Sequence, residues 1–163
     1  VKAALLYIRS KLAEWNLSDK IILSGASAGG HLALLHGLKN RESDIKGLIA
    51  FFPPTDLTSL FGFNNLTSLG LTEIMGGTPM TAPANYQNSS PVNFASSDDP
   101  PIIFFHGETD QVVPISQSER LETALKNTQI RHQFIRVPNQ GHGFTAETNA
   151  SLLRQAKSFF GEL

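Results

Sequence analysis

A chain of 163 residues that is 40% hydrophobic and 17% charged has the composition of a globular domain and the length for one core. Thirteen Lys and Arg against fourteen Asp and Glu leave a net charge of -1, which gives no electrostatic handle for nucleic acid or an anionic membrane surface, and every apolar run is too short to cross a bilayer. The absence of cysteine excludes disulfides, thiolate metal sites and a cysteine nucleophile.

Val1 to Trp15 places apolar residues at Val1, Ala4, Leu5, Ile8, Leu12 and Trp15, a helical period with no Ser, Thr, Asp or Asn to cap its start. The chain is therefore expected to begin inside a helix, and the residues present assign no compartment. Ile21-Ile22-Leu23, within Lys20 to Ser24, predicts a short buried strand. Ala28 to Leu38 follows as a helix closed by Lys39 and Asn40, and Lys46 to Phe52 as a second strand stopped by Pro53-Pro54. Continuous apolar character predicts strands covered on both faces. Leu57 to Asn93 is rich in Gly, Pro, Asn, Ser and Thr, with one short helix expected near Leu69 to Met75; it reads as a cap-like excursion over 57–93, too long for a simple connection.

Ile102 to Phe105 predicts a third strand, Ile115 to Leu125 a helix begun by Pro114, His132 to Val137 a fourth strand, and Glu147 to Phe160 a closing helix. Strands and helices take turns, so the expected class is α/β: one domain over 1–163, a parallel sheet with helices on both faces. Active groups on such sheets gather just beyond the C-terminal ends of the strands.

Three candidates stand at that edge. Ser27 lies in Gly25-Ala26-Ser27-Ala28-Gly29, between a predicted strand and a predicted helix, where flanking glycines let the backbone fold back and lift a hydroxyl off the sheet. Asp110 follows the third strand and His142 follows the fourth, so serine, acid and histidine come in the chain order of hydrolases built on this kind of turn. A serine hydroxyl is a weak nucleophile near neutral pH; His142 would take its proton and Asp110 would hold the imidazole in the working tautomer. The backbone N–H of Ala28 would be one donor to the oxyanion. Glu108 is the rival acid, and Asp56, after the second strand, either caps its loop or lines a pocket. His106 reads as a packed, hydrogen-bonded residue, and His31, His36 and His132 as structural. No histidine spacing suits a metal.

The stretches Gly25-Ala26-Ser27-Ala28-Gly29-Gly30-His31-Leu32-Ala33, Pro100 to Pro114 (with His106-Gly107-Glu108-Thr109-Asp110) and Gly141-His142-Gly143-Phe144 together resemble the α/β-hydrolase esterase and lipase families. The nearest likeness is to bacterial carboxylesterases of the acetyl-xylan and feruloyl esterase-like group, and it spans nearly the whole chain. The resemblance implies Ser27 as nucleophile, Asp110 as acid, His142 as base, no cofactor, and a small-molecule ester substrate, with short acyl groups on sugars or simple alcohols favoured. Gly25, Ala26, Phe144 and Phe61 are the expected substrate-facing positions. The family's His-Gly-Gly oxyanion loop and first strands should precede residue 1, roughly 100 residues at about 30 per strand-helix-strand unit. A peptidase or amidase of the same fold, and a non-catalytic chain that pairs as a homo-oligomer through an exposed strand edge, are the alternative readings.

Overall fold

The apolar runs become four strands in the structure, a computed structural model that describes residues 1–161. In chain order the elements are α1 (Lys2–Lys11), β1 (Ile21–Ala26), α2 (Ala28–Asn40), β2 (Ile45–Phe51), α3 (Leu57–Leu60), α4 (Asn65–Met75), α5 (Pro83–Asn88), a 3-10 turn (Pro91–Phe94), β3 (Ile102–Gly107), α6 (Ser116–Thr128), β4 (His132–Val137) and α7 (Ala146–Phe160). The sheet is parallel throughout, in the order β1-β2-β3-β4, with Leu23 beside Leu48, Leu48 beside Ile102 and Phe104 beside Phe134.

Two apolar layers sandwich the sheet. On one face Leu34 and Leu38 of α2, Leu121 and Leu125 of α6 and Leu5 of α1 close over Leu48, Ile102 and Phe104. On the other, Leu152, Ala156 and Phe160 of α7 cover Ile49, Ile103, Phe105 and Val137. Fully burying a side chain such as Phe104 or Phe105 contributes on the order of 1.5–3 kcal/mol, so the central strands β2 and β3 dominate the stability. Arg9 anchors α1 beside this core by hydrogen bonds to Asp44 (2.6 and 2.7 Å) and to Glu42, which lie just before β2.

The structure corrects several expectations. The first helix stops at Lys11 rather than Trp15, because the chain turns through Leu12 to Leu17 with Asn16 in the left-handed region at φ 52°. β1 is covered on one face only: α7 does not reach it, and Ile22, Ser24 and Ala26 are exposed. Among the described residues β2 is its sole neighbour. α2 runs on to Asn40 and ends at left-handed Arg41, and α6 continues to Thr128. The excursion holds three helices and a 3-10 turn instead of one helix. Asp56 accepts from Ser59 N–H at the start of α3, Asn64 and Thr67 form a reciprocal cap on α4, and Pro83 opens α5. Leu57, Leu60, Met75 and Tyr86 pack these pieces into a satellite core.

The two glycines flanking Ser27 do different work. A Cβ at Gly25 would lie 2.3 Å from the backbone carbonyl of Gly29, whereas one at Gly29 meets nothing within 4 Å. Gly25→Ala should therefore lower the melting temperature by at least about 4 °C, the cost of forcing strand and helix apart. Gly29→Ala should leave it within about 2 °C or raise it, since alanine is the better helix former. Calorimetry on the two variants checks the contrast, and equal losses would contradict it.

Candidate active site

Ser27 stands at the β1–α2 junction with φ 53° and ψ -122°, a region that non-glycine residues rarely occupy. Its own N–H donates to Phe51 O (2.9 Å), and its carbonyl accepts from His31 N–H (3.0 Å), so the turn is clamped from both sides. The hydroxyl donates to His142 Nε2 at 2.9 Å, and His142 Nδ1–H donates to Asp110 Oδ2 at 2.7 Å. The fold thus brings Ser27, His142 and Asp110 into one hydrogen-bonded succession. Glu108 is exposed on the same loop, and Asp110 is the carboxylate at the imidazole.

Asp110 is buried, and its position is over-determined. Its Oδ1 accepts from the N–H groups of Val112 (2.8 Å) and Val113 (2.9 Å), and its Oδ2 faces His106 Nε2 at 3.4 Å as well as His142. Burial pushes the carboxyl pKa up, but hydrogen bonding from His106, His142 and the two amides outweighs it and holds the value down at about 2. His106, fully buried, donates from Nε2 to Val113 O (2.8 Å) and accepts at Nδ1 from Ser118 Oγ (2.7 Å), which locks the turn around the acid.

Aromatic rings wall His142. The Phe52 ring lies 4.6 Å from the imidazole, and Phe144 packs edge-on to Phe52 at 5.2 Å. Phe52 itself has φ 38°, a second strained residue at the sheet rim. Gly107 is the close-approach point between two rim loops, since a Cβ there would sit 2.3 Å from Gln140 O.

The expected substrate-facing positions divide. Phe144 lies beside the imidazole wall and Ala26 is exposed next to Ser27. Gly25 is taken up by its contact with Gly29, and Phe61 packs against Tyr86 in the satellite core at 6.1 Å. Asp56 caps α3 and lies 3.4 Å from Arg120, a structural role. His31 Nδ1 bonds Pro54 O at 3.1 Å, and burial lowers its pKa against the opposing effect of that bond. His36 is buried 3.2 Å from Glu42.

Sequence reading missed Gln117 and Ser118. Gln117 is buried and accepts from the N–H groups of Thr55 and Asp56, tying the loop after β2 to α6. Both polar residues precede Leu121 by three or four positions, on the buried stripe of α6, and a polar side chain on such a stripe is the signal that marks them.

Ionised Asp110 favours the folded chain. Its carboxyl titrates at about 2 when folded against 3.8 ordinarily, so the contribution is complete above about pH 4 and is lost as pH falls through 2. Asp110→Asn should lower the urea midpoint at neutral pH, and its gap to the parent should narrow steadily between about pH 4 and pH 2. A gap that is constant with pH in urea titrations would contradict this.

Comparison with known proteins agrees with this fold. The BD-FAE family model matches residues 1–125. Esterase LipQ of Mycobacterium tuberculosis is 26% identical over 98% of this chain and 42% of its own length. The solved structure of a truncated carbohydrate esterase from gut microbiota superposes with a TM-score of 0.85 at 27% identity, covering 98% of this chain and 66% of that one. A puromycin-hydrolysing peptidase of Mycobacterium tuberculosis superposes with a TM-score of 0.81 at 25% identity, over 94% of this chain and 23% of that one. The chain spans about two fifths of the length of the curated esterases it matches. With its parallel sheet and the family model matched over more than half its residues, the chain belongs to the BD-FAE family, on the α/β-hydrolase fold.

Proposed function

We propose that this chain carries the catalytic residues of a carboxylic ester hydrolase that works through an acyl-enzyme on Ser27. The observation that carries the reading is the succession from Ser27 Oγ to His142 Nε2 (2.9 Å) and from His142 Nδ1 to Asp110 Oδ2 (2.7 Å). Ser27 Oγ bonds to the ester carbonyl carbon while its proton moves to His142 Nε2, and the carbonyl electron pair moves onto oxygen. Ala28, first residue of α2, has no acceptor for its N–H one turn earlier in the helix, so that N–H can donate to the oxyanion. Asp110 stabilises the imidazolium across the 2.7 Å bond. The bond to the alcohol then breaks, the departing oxygen takes the proton from His142, and water resolves the acyl-enzyme with His142 as base.

Short acyl groups on sugars or simple alcohols are the preferred substrates in this reading, which the likeness to a carbohydrate esterase supports. The likeness to a puromycin-hydrolysing peptidase favours amide cleavage as the second reading, because the same three side chains serve either bond.

Labelling with a fluorophosphonate and turnover of p-nitrophenyl acetate test the proposal. Ser27→Ala should lose about a thousandfold or more in both. Labelling that persists in Ser27→Ala would put the nucleophile elsewhere, and a folded parent chain that never labels would be non-catalytic. Faster cleavage of aminoacyl anilides than of esters would favour the amidase.

A further inference from the structure

We propose that Phe52 is a positioning residue for the base: its strained backbone aims the phenyl ring at His142 and holds the imidazole in the orientation that reaches both Asp110 and Ser27. The assignment rests on the serine-hydrolase reading above, since it names what keeps that base in register.

The strain calls for a reason. Phe52 has φ 38°, and the next residue is Pro53, whose ring pushes the residue before it toward extended backbone. A bulky side chain in the left-handed region ahead of a proline is opposed twice over, and glycine would escape the first of these penalties. Strain held at the rim of a site points to what the side chain does there. The conformation is fastened by the Phe52 N–H, which donates to Phe105 O at 2.6 Å, and by Phe144, which meets the Phe52 ring edge-on at 5.2 Å. So placed, Phe52 is only 9% exposed, and its ring centroid lies 4.6 Å from that of the imidazole with the planes 57° apart.

His142 needs such a wall. It stands between Gly141 and Gly143, so no side chain on either neighbour braces it, and a Cβ at Gly143 would meet nothing within 4 Å. Its ring is fixed at its two nitrogens, by Asp110 Oδ2 at 2.7 Å and by Ser27 Oγ at 2.9 Å. The second of these bonds is given up in the reaction. Once Ser27 Oγ has bonded to the carbonyl carbon and its proton rests on Nε2, the imidazolium must present that proton to the departing oxygen. At that stage the bond to Asp110 and the Phe52 ring are what keep it from turning outward, and the His142 side chain is 19% exposed, so it has an open side to turn to. Phe52 acts through His142; nothing in this role requires it to touch the substrate.

Phe52→Leu keeps an apolar side chain and removes the flat wall. The second-order rate of fluorophosphonate labelling and kcat for p-nitrophenyl acetate should each fall about tenfold or more, with KM within about twofold of the parent value. Phe52→Tyr restores the ring and should recover both rates to within about threefold. Phe134→Leu makes the same change at a half-buried ring stacked on Phe104, away from the imidazole, and should leave both within about twofold. Thermal melts establish which variants fold, and Phe52→Met, with its unbranched apolar side chain, takes the place of Phe52→Leu if the leucine variant does not. Labelling and kcat within about twofold of the parent in the folded leucine or methionine variant, no recovery in Phe52→Tyr, or an equal loss in Phe134→Leu would each overturn the positioning role and leave the hydrolase standing. A folded parent chain that neither labels nor turns over the ester would overturn both.

Discussion

The rim of the sheet is held by backbone hydrogen bonds that continue the strand ladder past the strand ends. Ser27 N–H donates to Phe51 O (2.9 Å), Phe52 N–H to Phe105 O (2.6 Å), Glu108 N–H to Val137 O (3.1 Å) and Thr109 N–H to Gln140 O (3.0 Å). Each strand end is thereby fastened to the next, from the turn that bears Ser27 to the loop that bears His142. The hydroxyl and imidazole are 115 residues apart in sequence, yet they meet at 2.9 Å because four short apolar runs pair in register. Glycine is needed where this rim is tightest: Gly25 lets α2 fold back on β1, and Gly107 lets β3 pass beneath Gln140.

A buried carboxylate at the centre of the rim would be costly without compensation. Asp110 receives two backbone N–H groups on one oxygen and two histidines on the other, which divides the task. His106 bonds Val113 O and the Ser118 hydroxyl as well, so it fixes the turn and has no route to Ser27. His142 is the ring whose second nitrogen is turned to the serine. Orientation of the acid thus comes from one element, the turn closed by His106 and α6, while the ring that faces Ser27 belongs to another.

Much of this was legible in the sequence because the strands are short continuous apolar runs and the candidate site residues sit where those runs end. Ile102 to Phe105 announces a buried strand, and the chain order Ser27, Asp110, His142 follows from which loop each occupies. The excursion was less legible. Its helices rest on caps made by Asp56 and Asn64 and on Pro83 at a helix start, signals that read equally as loop chemistry in a segment rich in Asn, Ser and Pro. The exposed face of β1 could not be read from Ile21 to Leu23, since which face a helix covers is decided by where α7 lands. Nor does sequence disclose Phe52 at φ 38°, because local preference opposes a bulky residue there and only the rim ladder imposes it.

Those two strained residues, Ser27 and Phe52, each cost on the order of 1–3 kcal/mol of local conformational energy. Both occur where cross-strand bonding is complete, so the sheet bears the strain and relaxation would require breaking the rim. The excursion is built differently. Leu57, Leu60, Met75 and Tyr86 form an apolar cluster of their own, fastened to the rest through Gln117, which bonds Thr55, Asp56 and Ser59. The four buried residues of this cluster belong to neither layer of the sheet, and the excursion meets the sheet's core through Val92, which packs against the layer that holds Leu48, Ile102 and Phe104. The rim is thus tied by strand-to-strand backbone bonds, whereas the excursion is held by apolar packing and by the Gln117 amide, two kinds of attachment on one sheet.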